Sequence, residues 1–232
     1  PYARHHQTPR GDINPMRVLH AVSQQETFVA SGKYIYRRDG EQLKGSETFS
    51  IHQQPDGGQF IRIDYDWREM DGTSQLVEAL TDPTGGVLYS RVVAQLQASS
   101  RSKRETYDFY PEKVLVGVTG GGGKRVDLEQ AMPLGYVPLF LKTALLGLSI
   151  QRWPSGGTAT VFGGYRDDQE GPLIYDGRLA SYGLEDTPHG QAQSLEFFGQ
   201  EFSQKMLLLP SGIIVQRTVG TLTVELTDYA HR

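Results

Sequence analysis

Polar and apolar residues alternate with period two along much of the chain. In "FIRIDYDWR", Ile61, Ile63, Tyr65 and Trp67 fall on one face of an extended strand, and Arg62, Asp64, Asp66 and Arg68 on the other. From Lys33 to about residue 130 such runs follow one another, punctuated by Asp39-Gly40, Pro55 to Gly58, Asp71-Gly72 and Pro83 to Gly86. These residues supply the backbone conformations of tight turns, so about eight strands with short links are expected. Short links require antiparallel neighbours, because a parallel pair needs a long crossover.

Two stretches depart from the alternation. "NPMRVLHAVSQQETF" reads as a helix with Asn14 as its cap and Pro15 at its first position. "MPLGYVPLFLKTALLGLSI" predicts a second helix over Leu134 to Ile150. It is apolar nearly all round, with Lys142 and Thr143 its polar side chains, so it must be enclosed. Leu141 and Leu145, four residues apart, should share the enclosed face. Pro133, Pro138 and Lys142 interrupt the stretch, and its clean part is shorter than the roughly 20 residues that a membrane span needs. After "WPSGG" strands resume and run to "TLTVELTDY".

The expected fold is therefore all-β, with one or two helices: a strongly twisted antiparallel meander or half-open β-barrel wrapped around a central apolar helix. Residues 1–31 form a tail and helix, and residues 32–232 a single β-rich domain. Its halves, 32–130 and 157–230, are joined by the helix at about 134–150. The halves resemble each other: "PTGGVLYSRVV" aligns with "PSGIIVQRTVG" once one Gly is dropped, and "YRRDGEQLKGSETFSI" opens like "YRDDQEGPLIYDGRLASYGLED". Internal duplication gives such matches, and so does chance recurrence of turn residues between β-branched runs.

Composition narrows the chemistry. Among 232 residues, 22% are charged and 38% hydrophobic, the balance of a globular chain. A net charge of -4 gives no electrostatic reason to expect nucleic acid or an anionic membrane as partner. The lack of cysteine excludes disulfides, thiolate metal sites and a cysteine nucleophile. "PYARHHQTPRGDINP" lacks the apolar centre of a targeting segment, which favours the cytoplasm over export with a trimmed signal.

The loudest motif is "VTGGGGKRVDLEQ". A phosphate loop needs Gly, four residues, then Gly-Lys-Ser/Thr. Lys124 follows Gly123, but Val118 stands where the first Gly belongs and Arg125 where the hydroxyl belongs. The flanking runs are strand-like, so the glycines read as a hairpin tip. His5, His6, His20, His52, His189 and His231 show no metal-ligand spacing, and there is no Gly-x-Ser-x-Gly elbow. Asp64, Asp66, Glu69 and Asp71 miss the calcium-loop spacing and read as a solvated, charge-paired face. Asp167, Asp168 and Glu170 read as a solvated turn. No catalytic residue, cofactor or metal is assigned.

The candidate ligand-binding residues are Tyr34, Tyr36, Tyr65 and Trp67, whose apolar bodies and polar tips suit the mouth of a cavity as well as plain core. Arg91 and Arg217 join them. Counting in twos, Arg91 shares a face with Val87, Tyr89 and Val93, and Arg217 with Ile213, Val215 and Val219. An arginine on an apolar face needs a carboxylate, a ligand anion or an escape to solvent.

The order of elements, from the "YRRDGEQLKGSETFSI" opening through the helical "PLGYVPLFLKTALLGL" to "LLPSGIIVQRTV", resembles bacterial β-rich proteins of the glycolipid-binding and lipoprotein-carrier-like kind. The resemblance spans residues 32 to 228 in architecture and carries over no catalytic residue. It implies a half-open barrel whose concave face, partly plugged by helix, holds an apolar ligand. The reading is thus a non-enzymatic binder of an apolar or amphipathic small molecule. The alternatives are an enzyme using cavity carboxylates or tyrosines, and a structural or protein-interaction module.

Overall fold

The computed structural model describes residues 16–200 and 202–232. Asn14, Pro15, His5 and His6 lie outside the described residues. Among these described residues fifteen strands form one sheet, with two helices. The first eight strands are β1 (Thr27–Arg38), β2 (Glu41–Gln53), β3 (Gln59–Trp67), β4 (Thr73–Thr81), β5 (Tyr89–Ala98), β6 (Arg101–Tyr110), β7 (Lys113–Gly120) and β8 (Arg125–Ala131). One turn of helix, α1 (Arg68–Asp71), links β3 to β4. The two-residue β9 (Val137–Pro138) precedes helix α2 (Thr143–Gln151). The remaining strands are β10 (Thr158–Arg166), β11 (Gly171–Thr187), β12 (Gly190–Phe198), β13 (Ser203–Leu208), β14 (Ile214–Val219) and β15 (Leu222–His231).

Spatial order runs from β8 down to β1, then from β15 down to β9. All neighbours are antiparallel except β9 and β10. The turn chemistry works as the residues dictate: Asp39 and Gly40 both take positive φ (51° and 85°) in the β1–β2 hairpin. The four glycines form the tip of the β7–β8 hairpin, where the Gly123 N–H donates to the Gly120 carbonyl and no helix follows.

The sheet curls until β6 meets β10 without pairing to it. Tyr107 and Phe109 of β6 pack against Phe162, the Tyr165 N–H donates to the Tyr107 hydroxyl, and Lys103 pairs with Asp167 at 2.9 Å. Inside the curl lies α2, with every residue from Thr143 to Ile150 buried. Its centre touches the sheet directly: a Cβ on Gly147 would stand 2.2 Å from the Gly212 carbonyl oxygen, so only glycine fits there.

The expected helix starts nine residues too early. Gly135 takes φ 77°, and Val137 and Pro138 pair in parallel with Val161 and Phe162, so residues 134–142 run as loop and β9. Leu141 is consequently 52% exposed, whereas Leu145 is fully buried.

The expected N-terminal helix also fails. Residues 16–26 contain no helix and lie across the outer face of β3 and β4, and β1 begins at Thr27. Arg17 grips Asp64 with two nitrogens, at 3.0 and 2.6 Å. The His20 ring meets Glu78 at 2.6 Å, and Glu26 pairs with the fully buried Arg62 at 2.7 Å. The Arg62 hydrogen bond holds the Glu26 carboxyl down at about 2. These long-range pairs outweigh helix propensity, which is worth tenths of a kcal/mol per residue. They also change the polar face of β3: its charges are paired, yet Arg62 and Asp64 are covered.

Candidate ligand-binding site

Two regions of the concave face stand out, one at each end of α2. At the C-terminal end lies an open cleft of about 520 Å³. Its floor is Leu195 of β12 and Leu208 of β13, with Leu179 of β11 and Ile150 of α2 beside them. Trp153 forms a wall, packed edge-on against Phe197 at 5.5 Å, with its buried indole N–H unpartnered. Leu184, 63% exposed, stands at the mouth. The polar groups of the rim are hydroxyls and amides, from Ser155, Ser181, Gln151, Gln191 and Gln193, and no lining residue is ionisable. Alternation turns Leu179 and Ser181 of β11 and Gln191, Gln193 and Leu195 of β12 into this space, an irregularity between Ser181 and Gly183 adds Leu184, and the turn over residues 153–157 closes one side.

At the N-terminal end of α2 the same face is polar and closed. Strand register assembles it: Arg217 of β14 pairs with Val224 of β15, and Val224 with Tyr36 of β1. In the adjoining row Tyr34 pairs with Glu47 of β2, and Glu47 with Tyr65 of β3. Glu47 is fully buried and accepts three hydrogen bonds, from the Tyr36 hydroxyl (3.0 Å) and the N–H groups of Thr143 (3.0 Å) and Ala144 (3.1 Å). A sheet residue thereby caps α2, whose own residue before the first turn, Lys142, provides no side-chain cap.

The Lys142 ammonium lies 3.5 Å from the centre of the Tyr65 ring, and burial lowers its pKa to about 8. Burial, then Glu47, raises Tyr65 to about 12 and pushes Tyr34 and Tyr36 well above the ordinary tyrosine value. Tyr65 and Trp67 stack at 5.6 Å, and Tyr36 meets both edge-on. Trp67 lies flat on Gly45, where a Cβ would come within 2.5 Å of the indole.

Of the six residues singled out from the sequence, Tyr34, Tyr36, Tyr65, Trp67 and Arg217 share this patch, and Arg91 does not. A bulge opposite Leu80 and Thr81 shifts the alternation of β5, so Tyr89 and Val92 point inward while Arg91 points outward. Its side chain is 51% exposed and stands 3.6 Å from Asp108. The two arginines are on opposite faces and cannot hold one headgroup. Glu47, Lys142 and Thr143 were missed. Glu47 carried a readable signal: it is in phase with Phe49 and Ile51 on the apolar face of its strand, the same anomaly that exposed Arg217.

No protein-family model and no curated protein matches the chain. Among solved structures, it is similar to a beta-barrel-like protein of a domain of unknown function, DUF1849, from Brucella abortus. That match has a TM-score of 0.57 at 14% identity and covers 91% of this chain and all of the other. Another, MucB, is 13% identical with a TM-score of 0.19, too low to bear on the fold. The likeness shows the class of fold: a beta-barrel-like protein.

Proposed function

We propose that this protein binds, without chemistry, an amphipathic small molecule of the lipid or glycolipid kind in the cleft at the C-terminal end of α2. The observation that carries the reading is an open apolar cleft of about 520 Å³ whose polar rim is built only of amides and hydroxyls. Apolar walls with a few placed polar groups are the usual make-up of a small-molecule site. A rim without ionisable groups suits an uncharged polar part, such as a sugar, over an ionic one, because a charge entering the cleft would lose hydration and find no counter-charge. It also favours binding over catalysis, since no titratable side chain stands where a ligand would lie.

Trp153 reports on the cleft. In Trp67→Phe it is the sole tryptophan of the chain. Titration with an alkyl glucoside below its micellar concentration should shift Trp153 emission saturably, and an alkyl sulfate of equal length should bind more weakly. Ser181→Phe, which fills the cleft, should abolish the response. An emission unchanged by either amphiphile sinks the reading.

A further inference from the structure

Arg217 poses a problem that the cleft does not address. Only 7% exposed, its guanidinium makes no ion pair among the described residues. Its partners are neutral oxygens, Gln204 Oε1 at 3.2 Å and the Leu141 carbonyl at 3.1 Å, and its Nε–H has none. Glu47, the buried carboxylate of the same patch, already accepts three hydrogen bonds from other groups. Burying a guanidinium without an anion costs several kcal/mol, so a fold that keeps one there lacks a partner.

Two further unmet groups of the patch can donate. The Gln204 side-chain amide nitrogen is buried without a partner. The Tyr34 hydroxyl, fully buried with the Ile214 amide beside it, finds no acceptor for its own proton. Each of these atoms donates, as does the Arg217 Nε–H. Lys142, half-buried on the Tyr65 ring, adds a second cation, so the patch sets one carboxylate against two cations.

We propose that this patch is a binding site for a small oxyanion, a carboxylate or a phosphate, with Arg217 as the charged anchor and Tyr34 and Gln204 as further donors. Charge-assisted hydrogen bonds to such an ion give the Arg217 Nε–H, the Gln204 amide and the Tyr34 hydroxyl an acceptor and restore the charge balance. The nine-residue α2 separates this site from the cleft by about 13 Å, and the proposal does not depend on what the cleft holds. The oxyanion is either a free ion or the acidic end of a longer molecule, and the chemistry of recognition is shared.

The Arg217 Nε–H gives a resolvable signal in nitrogen–proton correlation spectra, assigned by its loss in Arg217→Lys. Inorganic phosphate and acetate should each move it saturably in the millimolar range. Tyr34→Phe should weaken both about five-fold, the worth of one hydrogen bond. The same change should leave the free protein at least as stable, because it deletes a donor without an acceptor. Octanoate binding tighter than acetate assigns the oxyanion to the head of an amphiphile; equal binding assigns it to a free ion; both uphold the site. If neither anion moves the resonance, water satisfies these donors and the proposal fails. It fails equally if Tyr34→Phe binds with unchanged affinity, a measurement that decides the matter even where Arg217→Lys does not fold.

Discussion

The two ends of α2 face the same curved sheet and are built oppositely. The N-terminal end is closed by a buried carboxylate, an arginine, a lysine and three tyrosines; the C-terminal end opens onto leucines and a tryptophan, with no ionisable residue in its lining. Both contact an apolar helix, so the difference comes from the strands. β2 and β14 each break their apolar phase with one charged residue, Glu47 and Arg217, and β1 adds the hydroxyls of Tyr34 and Tyr36, whereas β11, β12 and β13 bring Leu179, Leu184, Leu195 and Leu208 to the other end among amides and hydroxyls. One end holds the helix in place and the other leaves room beside it.

The largest expected effect breaks the polar end. Glu47→Leu removes the acceptor of three buried donors and leaves two cations without an anion, and should cost about 4 kcal/mol in urea denaturation. A loss below about 1 kcal/mol would mean that the closed end does not anchor α2. In the first turn of the helix, Leu145→Ala should cost about 3 kcal/mol, a fully buried leucine truncated in a packed core; a change under about 0.5 kcal/mol would place α2 outside the sheet.

The titration of Lys142 sharpens the contrast, because no ionisable side chain lines the open cleft. Its folded pKa of about 8 lies below the unfolded value of 10.5, so between these values the unfolded chain binds more protons and stability rises with pH. The gain should be about 1–2 kcal/mol, allowing for the partial exposure of the side chain. Above about pH 10 the buried tyrosines reverse it, since their raised pKa values stabilise the fold only while they stay protonated. Lys142→Met should abolish the rise, and a rise that persists in that variant would assign it elsewhere. The smallest effect on stability belongs to the open end: Leu184→Ser should change it by less than about 0.5 kcal/mol while weakening amphiphile binding in the Trp153 assay. Equal losses of stability at both ends would dissolve the distinction.

The sheet was legible because its turns are local chemistry: Asp39-Gly40 and Pro83 to Gly86 announce themselves wherever they occur. Helix boundaries were not, because an apolar run has no period to separate the β9 residues Val137 and Pro138 from the helix that follows. The N-terminal segment misled for a different reason, since Arg17, His20 and Glu26 answer to charges on β3 and β4 that lie 36 to 58 positions away. At the sites, an arginine in phase with valines marked the polar patch, yet the same count misplaced Arg91, because a bulge leaves no trace in a residue pattern. The cleft was invisible, as it exists only where α2, β11, β12 and β13 converge.

The pairing of β1 with β15 bears on how the molecule assembles. Tyr34 lies opposite Leu226, 192 positions away, so the middle of the sheet joins strands from the two ends of the β-rich chain. Closing so long a loop is entropically costly, and nonlocal pairing of this kind slows folding. Until the seam zips, β1 through β8 and β10 through β15 are separate meanders, each with an exposed edge open to a neighbouring molecule. Aggregation during refolding should therefore depend steeply on protein concentration, with the two strands that end up most central being the stickiest along the way.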